Sequence, residues 1–87
     1  MTVYLIALKN LNTGSVRALY SISAVNGEAI GWISKKMSEK SMKHFFKYDK
    51  EYFLGRNSEP VLVEVSGDVA ILKQLGITVL DEEGKRV

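Results

Sequence analysis

Residues 2–9, TVYLIALK, are apolar at both parities of a strand. Val3, Leu5 and Ala7 share one face, and Tyr4, Ile6 and Leu8 share the other. Such a strand must lie centrally in a sheet or be covered on both sides. The run is short, lacks a basic leading region and precedes no small-residue cleavage site. It reads as a strand, not as an export signal. No stretch approaches the roughly 18 apolar residues of a membrane span.

The rest of the chain must cover that strand within 87 residues, of which 46% are apolar and 25% charged. That is an ordinary globular mixture and one domain, residues 1–87. Cysteine is absent. Disulfide frameworks and thiolate metal sites are excluded, and the cytoplasm is the expected compartment.

Asn10 to Gly14 is dense in turn formers, so a hairpin is expected into residues 15–23. There Val16, Ala18, Tyr20 and Ile22 share a face that is expected to be buried. Asn26 reads as a helix N-cap, with Ile30, Ile33 and Met37 at helical spacing behind it. Trp32 lies off that stripe, with one edge exposed. Met42, Phe45, Phe46, Tyr52 and Phe53 continue a helical side, with a break near Ser41 or Asp49. The same run also alternates as a strand through Phe46, Tyr48, Lys50 and Tyr52; its lysines and poor alternation favour helix. Gly55 stops it, and residues 56–60 form a loop. Residues 61–65 are a strand. Ser66 caps a helix with Asp68 in its first turn, Gly76 ends it, and residues 77–80 make the last strand. Residues 82–87 are a polar C-terminal tail. The expected fold is α+β: a four-stranded mixed sheet with two or three helices on one face, in the order β-β-α(-α)-β-α-β.

Net charge is only +2. Its distribution is uneven, because residues 35–56 hold seven basic and three acidic residues, a local +4. Five of the eight aromatic residues fall in the same block: Phe45, Phe46, Tyr48, Tyr52 and Phe53. Lysines neutralise phosphates and exposed rings stack on bases, so the mixture suits single-stranded nucleic acid. An amphipathic helix with core rings and solvated lysines explains the same residues more simply. Neither the aromatic signature of an RNA recognition motif nor the G-x-x-G loop of a KH domain is present.

Catalytic constellations are missing. His44 is the single histidine, with Ser41 and Ser38 nearby but no nucleophile elbow. One histidine and no cysteine exclude a zinc site. Asp81, Glu82 and Glu83 lead into too few residues for a calcium loop. Gly27 and Gly31 have no lysine and hydroxyl residue behind them to complete a phosphate loop. Glu64 alternates with Val63 and Val65, which puts it on the opposite face from them.

These features point to a non-enzymatic binding protein with no cofactor and no metal. Its expected partner is a protein, and a homodimer through an edge strand is a further expectation. A regulator or inhibitor of a larger partner fits the size, as in the accessory proteins of phages and mobile elements. The expected contact residues are Trp32, Lys36, Lys40, Lys43, Lys47, Tyr48 and Arg56. The alternative is nucleic-acid binding through residues 35–56.

Overall fold

A computed structural model describes residues 1–20 and 29–87. The elements are β1 (Thr2–Asn10), β2 (Val16–Leu19), β3 (Ala29–Trp32), α1 (Lys35–Tyr48), α2 (Lys50–Gly55), β4 (Ser58–Ser66), α3 (Val69–Gln74) and β5 (Ile77–Leu80). The α+β class, the mixed sheet and the three helices are as the sequence implies.

Strand β1 is the hub. One of its edges pairs antiparallel with β4 along its whole length, from Thr2 against Ser66 to Asn10 against Ser58. Its other edge is divided: Ala7, Leu8 and Lys9 pair with β2, and Tyr4 pairs with Trp32 of β3. Strand β5 lies beyond β3 and runs parallel to it. The sheet is thus four strands wide, in the order β4, β1, β2 with β3, and β5.

Both faces of β1 are buried, and each has its own core. Val3 and Leu5 pack with Ala29, Ile77, Val79 and Leu72 of α3. Ile6 and Leu8 pack with Tyr20, Trp32 and Phe53, beneath Met42, Phe45 and Phe46 of α1. Helices α1 and α2 therefore cover one face and α3 the other, which corrects the one-face arrangement. The physical reason lies in β1 itself, whose two apolar parities each demand a cover.

Residues 29–33 also differ from expectation. Ala29–Trp32 is a strand, and α1 starts only at Lys35, with the Ser34 hydroxyl accepting from Met37 N at 3.2 Å. A short apolar run fits a buried strand as well as a helix face. Gly31 shows why the strand wins: a Cβ there would stand 3.0 Å from the side chains of both Val3 and Ile77. The expected cap at Asn26 and the buried position of Ile22 lie outside the described residues. Tyr20, just after β2, is buried as expected, but within β2 Val16 is 48% exposed and Ala18 is exposed too. A bulge between Leu8 and Lys9 breaks the register there, and the described part of β2 is only four residues long.

Other boundaries shift for local reasons. The α1–α2 break falls at Asp49, one of the two expected positions. Ser58, Glu59 and Pro60 belong to β4, so the loop shrinks to Arg56 and Asn57, the latter at φ 50°. Asp68, not Ser66, caps α3 by accepting from Ile71 N at 2.9 Å. Gly76 follows α3 at φ 81°, the left-handed conformation that ends helices. Residues 85–87 return to β5: Val87 N donates to Val79 O at 3.0 Å, and Leu80 bridges Arg86.

Candidate functional site

Lys36, Lys40, Lys43 and Lys47 recur at steps of four, three and four along α1. At 100° per residue they fall within an arc of about 60°, and they span about 16 Å of helix. All four are exposed. The opposite side of α1 carries Ser38, which is fully buried, and the half-buried Met42 and Phe45. The helix is thus divided by its period into a core side and a lysine stripe.

Glu39 is the one acid of α1 and flanks the stripe, four residues before Lys43, without closing an ion pair. Among the described residues, the ion pairs are Lys9 with Glu59 and Lys85 with Glu83, both remote from it. Lys36 and Lys40, and Lys43 and Lys47, are like charges at four-residue spacing. Each such pair disfavours the helix by about 0.2–0.5 kcal/mol. An anionic partner laid along α1 would relieve this repulsion.

Tyr48 ends α1 and is 74% exposed. The His44 ring lies 4.5 Å from it, one helical turn earlier, and holds it from one side. Beyond Tyr48 the chain turns at Asp49. Here Lys47, Tyr48, Asp49, Lys50, Glu51 and Leu54 line a surface hollow of about 420 Å³. Leu54 is 51% exposed, so the hollow has two apolar walls, with Lys47 and Lys50 balanced by Asp49 and Glu51 around them.

The turn at Asp49 is fixed from beneath. Asp49 caps the end of α1 through its backbone, while its carboxylate accepts a hydrogen bond from the Tyr20 hydroxyl at 2.8 Å. Burial, and then the Asp49 carboxylate, push the Tyr20 hydroxyl up to about 12. Tyr20 packs against Phe45, Tyr52 and Phe53, with ring centroids 4.9–5.8 Å apart. The two helices therefore meet over a rigid aromatic base.

The other expected contact residues are placed differently. Trp32 is 4% exposed and belongs to the core under α1. Arg56 is on the surface, but its guanidinium lies 3.8 Å above the Tyr52 ring and covers the aromatic cluster. Lys36, Lys40, Lys43, Lys47 and Tyr48 come together on α1, apart from both. His44 and Leu54 were not among the expected contacts. His44 carried a legible signal, its four-residue spacing from Tyr48. Leu54 carried none, because the break at Asp49 resets the helical phase.

A second groove, of about 550 Å³, runs between α1 and β4. Lys35, Glu39, Met42 and Lys43 form its helix wall; Pro60, Leu62 and Glu64 form its strand wall. Among the described residues no three or more His, Asp or Glu side chains gather as metal ligands, and no helix is long and apolar enough to cross a membrane. The chain matches no protein-family model, no curated protein and no solved structure.

Proposed function

We propose that this chain is a non-enzymatic binding protein that docks an acidic protein partner along α1, acting as a regulator or inhibitor of that partner. The observation that carries the reading is the stripe of Lys36, Lys40, Lys43 and Lys47, four exposed lysines flanked on α1 by a single acid, Glu39, and held in no ion pair among the described residues. Tyr48, with Leu54 beside it, supplies the apolar anchor that such an interface needs near its centre. Lysines steer the encounter, and the ring in the hollow gives residence.

Nucleic acid is the second reading, favoured by the His44–Tyr48 ring pair beside the lysines. It is the weaker one, because Phe53 is fully buried and Phe45 and Phe46 are packed against the core. Few rings remain for bases.

The test is capture from lysate on immobilised protein, with and without nuclease, at low and moderate salt. The wild-type chain is compared with Tyr48→Ala and with Lys40→Glu/Lys47→Glu. A discrete protein band that survives nuclease and is lost in both variants supports the proposal. Recovery of nucleic acid that nuclease, salt and the lysine variant abolish, with no protein band remaining, overturns it.

A further inference from the structure

The β5 and β4 edges of the sheet are unlike. The outer edge of β5 is closed by residues 85–87. The outer edge of β4 pairs with no strand among the described residues. Its free groups follow from the ladder. Leu11 N donates to Asn57 O at 2.9 Å and Gly67 N to Met1 O at 3.0 Å, at the two ends of the β1–β4 pairing. Hydrogen-bonded pairs alternate with unbonded ones. The inward bonds therefore belong to Val65, Val63, Val61 and Glu59. Pro60, Leu62 and Glu64 direct their backbone groups outward. Pro60 has no N–H, and an outward position is where an edge strand tolerates it.

We infer that two copies of this chain join through the open edge of β4, antiparallel, with Leu62 set against the partner's Leu62. In this register the two Leu62 residues exchange a pair of backbone bonds. Glu64 N donates to the carbonyl of the partner's Pro60, and the reverse bond completes the symmetry. Pro60 leaves only the carbonyl of the partner's Glu64 without a strand donor.

Side chains select the occupant and the register. Glu64 is exposed, points to the α1 face and makes no ion pair among the described residues. It falls across from the partner's Pro60, which lines the same groove as the partner's Lys43. Chain order agrees: α1 starts just after Trp32, in the row of Tyr4 and Glu64, and α2 ends just before Ser58, so Lys43 is toward the Pro60 end. Each glutamate thus comes to the Lys43 end of the other copy's groove, twice by symmetry, with the partner's Glu39 one helical turn away and the partner's Glu64 at the far end. On the α3 face, half-buried Val61 and Val63 stand across from the partner's Val63 and Val61 and extend one apolar row. Sliding the pairing the other way sets Glu64 directly against the partner's Glu64, or places the two diagonally on one face, which disfavours both alternatives. The two-fold axis is perpendicular to the sheet, so both α1 helices lie on the same side. The inference does not rest on the identity of any other partner.

Light scattering after size exclusion and sedimentation equilibrium, from micromolar to near-millimolar chain, test it. The wild-type mass should rise toward that of two copies. Glu64→Lys and Lys43→Glu should each weaken association at least ten-fold, and the double exchange should recover most of the loss. Both side chains are exposed, so the variants should fold. Amide exchange at Leu62 and Glu64 should slow with concentration, whereas Val63, already bonded inward, should not change. A chain that stays monomeric throughout, or a dimer that neither exchange weakens, overturns the inference.

Discussion

Leu72→Ala is the most direct test of the two-sided sheet. Helix α3 has six residues, far below the length at which a helix holds itself together in water. Leu72 is its one buried residue, at 0% exposure, while the neighbouring Ile71 is 51% and Leu75 is 66% exposed. Truncating a buried leucine costs about 2–5 kcal/mol, depending on how far the site collapses. A short helix can sink toward the sheet, so the lower half applies, about 3 kcal/mol. A domain of this size has roughly 4–13 kcal/mol in total. The loss corresponds to a fall in Tm of about 12–24 °C. Urea unfolding followed by fluorescence is the assay. Trp32 is the single tryptophan and is buried on the opposite face, so its native emission should be unchanged by the substitution. Ile71→Ala serves as the control, expected within about 0.5 kcal/mol of wild type. A Leu72→Ala loss below about 1 kcal/mol would refute the argument that α3 seals the second face.

Gly31→Ala should destabilise by about 1–3 kcal/mol, read by the same unfolding curves, because the new methyl meets Val3 and Ile77 at 3.0 Å. Ser34→Ala should cost about 1 kcal/mol by removing the α1 cap. Tyr20 is held protonated in the folded chain, with its pKa raised from 10.0 to about 12. The folded state therefore binds the proton more tightly, and stability should fall as pH rises from 10.0 to about 12. Tyr20→Phe should flatten that slope in alkaline urea titrations.

Much of the fold is legible where a residue pattern has one physical solution. The two apolar parities of residues 2–9 demand two covers, and the structure supplies them. The one-face arrangement ignored that demand in favour of economy. Residues 29–33 are ambiguous in sequence because so short an apolar run fits both periods equally. What decides between them is the approach of Gly31 to Val3 and Ile77, side chains 28 and 46 positions away in the sequence. The binding surface divides in the same way. The lysine stripe follows from helical spacing alone and survives intact. Trp32 does not, because its place depends on whether residues 29–33 coil or extend. Arg56 is diverted by Tyr52, a pairing set by the bend at Asp49 that no local pattern encodes.

The turn at Asp81, whose carboxylate accepts from Glu83 N and Lys85 N at 2.9 Å each, has a consequence for assembly. It returns residues 85–87 over β5 and closes that edge of the sheet. Pairing of β4 with a second β4 ends when both are used, giving a closed pair, whereas a further open edge of like length permits growth into fibres. Removing residues 85–87 should uncover β5 and add an edge through which pairs can join, visible as thioflavin-positive material on standing. The last three residues thus withhold the β5 edge as a growth point from a pair joined through β4.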